Sequence, residues 1–228
     1  MLFRQLLHKE TSTYTYILAD EDTKKAIIID PVDEHVGQYL NVLNEYDLTL
    51  QYTLDTHVHA DHITGSGLLR EKTDCESVMH QKANIKCVSI KIEDNETLGF
   101  GNLKLKSIFT PGHTDHHTAF VVEDRLFTGD ALLINGCGRT DFQNGSPDEL
   151  WESIQNRLFT MPGETLVYPG HDYHEHQVSC IEQELNINPR FKGKSKEEFI
   201  DFMNNLNLPD PKFMMAAVPA NERCGLKE

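Results

Sequence analysis

A chain of 228 residues, 39% hydrophobic and 25% charged, has an ordinary globular composition and enough length to bury a sizeable core. Its net charge of −15, with histidine neutral, argues against nucleic acid and anionic membrane surfaces as partners, and an anionic substrate would need local Arg or Lys. No apolar stretch reaches the roughly 18 residues that span a membrane, and the run at residues 1–8 is too short for a signal peptide.

The five cysteines (Cys75, Cys87, Cys137, Cys180 and Cys224) are odd in number and contain no CxxC, which is read as reduced thiols in a cytosol-like compartment. The expected location is the cytoplasm, or the mitochondrial matrix if a transit peptide has been removed. One domain over residues 1–228 is expected, with about 175–228 as a helical and proline-rich extension of it.

In chain order, alternation over residues 11–18 predicts a strand, and the apolar run 26–29 predicts a buried strand ending at Asp30-Pro31. Val36, Leu40 and Leu43 recur at helical spacing and predict a helix over 34–45. Residues 48–54 form the next strand, and helical spacing returns over 63–69. Further strands are expected over 77–79, 88–92, 103–109, 118–122, 126–128 and 165–168, with turns at 94–95, 99–102 and 123–124. Ser146-Pro147-Asp148-Glu149 reads as a capping box with proline at the first helical position; Leu150, Ile154 and Leu158 give that helix its apolar face. A second capping box, Ser195 to Glu198, opens a helix to about Asn205, and Pro209, Pro211 and Pro219 break up the remainder. Strand–helix units in both halves, with β meanders between them, predict two sheets packed face to face with helices outside.

Thr56-His57-Val58-His59-Ala60-Asp61-His62 places three imidazoles and a carboxylate between a strand and a helix. His57 and His59, two apart in an extended loop, can aim the same way. Imidazole with carboxylate suits zinc, iron and other transition metals. Three more short strands end in a polar residue: Thr110-Pro111-Gly112-His113-Thr114, Thr128-Gly129-Asp130 and Pro169-Gly170-His171. Strand ends present ligands from a rigid frame, and glycine lets the backbone turn tightly beside them.

The order HxHxDH, PGHT, TGD, PGH resembles that of the metallo-β-lactamase superfamily, from about Thr11 to His174. The resemblance implies an αββα sandwich, an α/β architecture in four layers, with a metal cleft at one edge. It implies ligands drawn from His57, His59, Asp61, His62, His113, Asp130 and His171. A narrower likeness covers HVHADHITGSGLLR after Thr56, residues 129–134, 136–142 and 170–174, and AVPANERCG at 217–225. These segments resemble the persulfide dioxygenases, the ethylmalonic-encephalopathy-protein-like branch of that superfamily.

That branch implies oxidation of glutathione persulfide by O2 to sulfite and glutathione. It also implies one Fe(II) per chain, held by His57, His113 and Asp130 as catalytic centre, with His59, Asp61, His62 and His171 around it. A two-His-one-carboxylate set leaves three positions open. Because every ligand for two metals is present, the residues alone leave the metal count open. Arg139 is either structural or an anchor for an anionic substrate, directly or through its loop; Arg223 is a second candidate clamp, and Tyr173 a hydrogen-bond donor near the sulfur or a packing residue. Cys137 and Cys224 are expected to be structural thiols, and Ser66 a helix-start residue. A homodimer is left open. The alternative activity is a two-metal hydrolase of the glyoxalase II type, acting on thioesters. It is disfavoured because 57 proline-interrupted residues follow His171, where that enzyme carries a larger helical domain. A metal-storing module is disfavoured by the open coordination positions.

Overall fold

The computed structural model describes residues 1–226. Its first sheet has the order β1-β2-β3-β4-β5-β6, comprising Leu2–His8, Thr13–Ala19, Lys25–Ile29, Thr49–Leu54, Glu76–His80 and Ile90–Ile92. The second sheet runs β12-β11-β10-β9-β8-β7, where β7 is Thr97–Phe100, β8 Leu103–Phe109, β9 Thr118–Val122, β10 Arg125–Gly129, β11 Leu166–Pro169 and β12 Ser179–Cys180. Helices α1 (Val36–Glu45) and α2 (Ser66–Thr73) lie in the first half. The second half holds α3 (Pro147–Ser153), which continues through a π turn at Ile154–Leu158, then α4 (Ile181–Ile187), α5 (Lys196–Asn204) and α6 (Met214–Asn221).

Alternation along β2 shows how the layers form. Tyr14, Tyr16 and Leu18 face the second sheet, in a core with Phe120, Phe127 and Tyr168. Ile17 and Ala19 point the other way, against Val36, Tyr39 and Leu43 of α1. Strand side chains alternate faces, so a strand covered on both sides buries every residue, and β2 does. On the far side, Leu126 and Val167 pack under Leu150, Ile154 and Leu158, with α5 contributing Phe199 and Met203. The result is the expected αββα sandwich. Every strand that precedes an expected ligand (β4, β8, β10 and β11) ends at one edge of it.

Several local expectations are revised. β1 pairs with β2 along its whole length although its sequence lacks a clear alternation; it is an edge strand, only partly covered. Gly99 lies in β7, not in a turn, because Phe100 is fully buried and the hairpin reverses only at Gly101-Asn102. β12 and α4 escape pattern reading because α4 turns a carboxylate inward: buried Glu184 accepts hydrogen bonds from Ser179, the Asn135 amide and Asn188. Pro219 lies inside α6 instead of breaking it. The carbonyl its missing N–H would have served belongs to Met215, on the exposed side. The helix expected over 63–69 begins at Ser66, and the second capping box forms in full. The thiols are corrected too: Cys87 and Cys224 form a disulfide across 137 residues, while Cys75, Cys137 and Cys180 are free. That pairing exists only because α6 returns the tail to the loop after β5, so sequence spacing carries no sign of it.

No helix among the described residues is long and apolar enough to cross a membrane.

Candidate metal centre

The seven-residue stretch after β4 is irregular, so its form comes from hydrogen bonds with the rest of the molecule. Asp30, just past β3, is the first source. Its carboxylate accepts from the Thr56 N–H at 2.7 Å, the Thr56 hydroxyl at 3.0 Å and His59 Nε2 at 3.1 Å. The Thr56 hydroxyl has one proton and gives it to Asp30, so it accepts from His57 Nδ1, 3.0 Å away. That fixes the His57 tautomer and leaves Nε2 with its lone pair. Burial, with His59 and His113 nearby, holds His57 well below the usual histidine range, so the ring is a neutral donor. Sequence reading takes Asp30 only as the end of a strand. It follows the same design as the ligands, a polar residue at a strand end, and that is the available signal.

The second sheet supplies the opposing groups. His113 Nδ1 donates to the Arg139 carbonyl at 2.7 Å, which leaves Nε2 facing Asp130 Oδ2 at 3.6 Å. His171 Nδ1 donates to the Thr11 carbonyl at 3.2 Å, and its Nε2 lies 3.5 Å from both Asp130 Oδ2 and Asp61 Oδ2. His117 is a further residue that sequence reading misses. Its Nε2 accepts from the Asp130 N–H at 3.1 Å while Nδ1 faces the Thr110 hydroxyl. Burial keeps His117 neutral, as this acceptor role requires. Gly138 is needed because a Cβ there would come within 2.2 Å of the Asp130 carbonyl.

Ligand atoms of His57, His113 and Asp130 all lie within 4.8 Å of one another, and those of His59, Asp61 and His62 form a second such set. Asp130 Oδ1, His59 Nδ1 and His62 Nε2 are buried and have no hydrogen-bond partner. Buried polar atoms left unpaired are costly. Several of them converging, with the tautomers of His57 and His113 set from behind, fit a cation. Burial opposes the positive charge on His59, but Asp30 raises its pKa to about 9. Burial likewise opposes the charge on Asp61, and His62 and His171 hold it well below the usual carboxylate range.

Above this floor opens a cleft of about 510 Å³, walled by Leu133, Ile134, Leu208 and Pro209. Arg139 and Tyr173 both line it, but differently from each other. The Arg139 guanidinium is spent: it holds Asp141 in a two-pronged pair at 2.6 and 2.7 Å and donates to the Pro209 carbonyl at 2.6 Å. Tyr173 is 65% exposed, its ring parallel to that of His171. Arg223 is not brought here; it lines a separate depression beside the disulfide. Arg190 takes its place in the cleft, stacked on Phe202, with no carboxylate paired to it among the described residues. Cys137 also faces the cleft, but burial pushes its thiol up to about 12, so it is an inert packing group, as expected.

Residues 9–85 and 88–171 match the model of the metallo-beta-lactamase superfamily. The chain belongs to that superfamily. It is 45% identical to the human mitochondrial persulfide dioxygenase ETHE1, an alignment that takes in all of this chain and 90% of the relative. The crystal structure of ETHE1 from Myxococcus xanthus superposes with a TM-score of 0.97 at 52% identity, covering 99% of this chain and all of that one. A hydroxyacylglutathione hydrolase of Dictyostelium discoideum is more distant, at 34% identity over 70% of this chain and 62% of the hydrolase.

Proposed function

We propose that this chain is an iron-dependent persulfide dioxygenase that oxidises glutathione persulfide with O2. The observation that carries the reading is the likeness to proteins named as persulfide dioxygenases over the whole chain, at 45% and 52% identity, against 33% and 34% for the hydrolases. One persulfide, one O2 and one water give one thiol, one sulfite and two protons; the outer sulfur loses four electrons and O2 gains them.

His57, His113 and Asp130 hold one Fe(II). Iron(II) supplies the redox-active centre that O2 needs in order to react with a closed-shell sulfur. The remaining roles fall to the chain. The Arg139 carbonyl and the Thr56 hydroxyl keep Nε2 of His113 and His57 turned to the metal. His171 lies between Asp61 and Asp130 and keeps these like charges apart. Arg190 pairs with a glutathione carboxylate, against the field of a −15 chain. Arg139 serves the substrate through its loop. The apolar wall shields the sulfur from water, and the Tyr173 hydroxyl at the mouth donates to it. The proposed compartment is the cytoplasm; the mammalian relatives' names point to the mitochondrial alternative.

Purified protein loaded with Fe(II) should consume O2 and release sulfite from glutathione persulfide, and should hydrolyse S-lactoylglutathione poorly. Efficient thioester hydrolysis without O2 uptake would sink the assignment.

A further inference from the structure

The tail motif at 217–225 leaves two features that the proposed reaction does not use, Asn221 and the disulfide. Asn221, at the end of α6, is 2% exposed. Its Nδ2 donates to the carbonyls of His59 and His62, both at 2.8 Å, and its Oδ1 accepts from the Thr64 N–H at 2.8 Å. One side chain thus satisfies three backbone groups of the irregular stretch that carries His57. Just beyond it, the Cys224 carbonyl accepts from the Gly67 N–H at 2.9 Å. A Cβ on Gly67 would come within 2.5 Å of that oxygen, so the contact needs glycine. Cys224 itself is buried in a small apolar cluster with Val58, the residue between His57 and His59. The tail therefore grips the metal stretch from behind by backbone and by side chain.

What fastens the grip is the bond from Cys224 to Cys87. Cys87 is partly exposed, whereas Cys224 is only 3% exposed. Cys87 borders an open depression of about 670 Å³ whose charged lining is Lys86, Glu222 and Arg223.

We propose that Asn221 is the positioning residue of the metal stretch, and that the Cys87–Cys224 disulfide is a thiol-exchange site that sets how firmly Asn221 holds it. The exchange is simple. A thiolate attacks the accessible Sγ of Cys87, the S–S bond breaks, and Cys224 leaves as a thiolate that takes a proton from water. A second thiolate then attacks the mixed disulfide, releases Cys87, and carries away the oxidised thiol pair. Two thiols lose two electrons and the protein disulfide gains them. With the latch open, only α6 packing and these hydrogen bonds hold the tail, and the metal stretch gains freedom. The inference requires a metal at the site and is independent of which substrate is oxidised.

The test uses the iron-loaded full chain purified without reductant. After thiol-specific alkylation, peptide mass spectrometry reads the state of Cys87 and Cys224, before and after incubation with glutathione. Iron release to a strong chelator is timed in both states, and amide hydrogen exchange over residues 57–64 is followed in metal-free protein. The expected result is a disulfide that glutathione opens and, in the reduced form, iron release about 10–100-fold faster, the range typical of lost outer hydrogen bonds, with faster exchange over 57–64. Cys87→Ser should behave as reduced protein with or without glutathione. Asn221→Ala should release iron fast in both states, because the latch then has no Asn221 contacts to tighten. Free thiols at both positions in the purified protein, or equal iron release from oxidised and reduced wild type, would overturn the latch. Slow wild-type release in a folded Asn221→Ala would overturn the positioning role. If Asn221→Ala does not fold, the oxidised, reduced and Cys87→Ser forms still decide the matter.

Discussion

The two halves of the site are held in opposite ways. On the second sheet, His113, Asp130 and His171 follow their strands closely, and backbone links secure their neighbourhoods: Ser146 to Gly112, Gly138 to Asp130, Gly170 to Gly129, Tyr14 to Gly170. On the first sheet, the stretch from Thr56 to Thr64 is irregular, and side chains from four distant places satisfy its backbone. Asp30 takes the Thr56 N–H, His116 takes the Val58 N–H, Gln143 donates to the Val58 carbonyl, and Asn221 serves His59, His62 and Thr64. A strand would turn His62 away from His57, His59 and Asp61, and a helix would part His57 from His59, so this stretch is neither. Its backbone polar groups must then find partners elsewhere, since buried ones cannot stay unpaired. Precision on one side comes from the sheet; on the other it comes from residues remote in sequence.

The most severe way to break this comparison is to remove a ligand from the sheet-held side. His113→Ala should lose nearly all iron and activity, because two protein ligands remain. His171→Ala should keep iron at close to one per chain and lose about 10–100-fold in activity. Metal analysis after anaerobic reconstitution checks both. Two metals per wild-type chain, falling to one in His171→Ala, would overturn the single-iron reading.

A smaller effect is expected from the loop-held side. Asp30→Asn still accepts at one oxygen but offers an N–H where an acceptor stood. The chain Asp30–Thr56–His57 then loses its polarity, and His59 loses its charge partner. Iron affinity should fall about 10-fold or more while the fold survives. Unchanged affinity, measured by competition with a chelator, would show that Thr56 alone orients His57.

The cleft offers a milder test, between two arginines. Arg190→Ala should raise KM for glutathione persulfide about 10–100-fold at nearly constant kcat, the scale of one charged hydrogen bond. Arg139→Ala removes a guanidinium already occupied by Asp141 and Pro209, so its loss should appear in stability as well as in kinetics. Equal KM in wild type and Arg190→Ala, from steady-state O2 uptake, would return the carboxylate contact to another residue.

The smallest effect belongs to a surface tie beside the PGHT turn. Asp94 accepts two hydrogen bonds from Arg157, at 2.8 and 2.9 Å, and one from the Phe109 N–H at 2.8 Å. Partial burial works against the carboxylate, but Arg157 and that N–H hold its pKa below the usual value. A depressed folded pKa adds stability above the unfolded carboxylate value, and the gain is lost as pH falls through the folded one. Asp94→Asn should cost at most about 1 kcal/mol near neutrality, since the pair is partly exposed. The gap in melting temperature from wild type should close below about pH 4.

Much of the molecule is legible in the amino-acid sequence by itself. Sheet strands such as residues 118–122 and the helix opened by Ser195 follow from period and capping, which are local in sequence. The seven metal-site candidates are legible too: they follow four strand ends whose chain order is distinctive, although the form of the stretch after β4 is set by residues remote in sequence. What tertiary structure decided was partnership between distant residues. It took Arg223 away from the cleft and brought Arg190 in, because helices α4 to α6 choose which side chains reach the cleft and no local pattern encodes that. It joined Cys87 to Cys224, and it placed Asn221 behind the metal stretch. It also hid β12 and α4, whose buried face is polar and becomes favourable only once Glu184 meets Ser179, Asn135 and Asn188. Local periodicity reports which face of an element is apolar; which remote backbone group a buried polar side chain will satisfy is settled only when the elements pack.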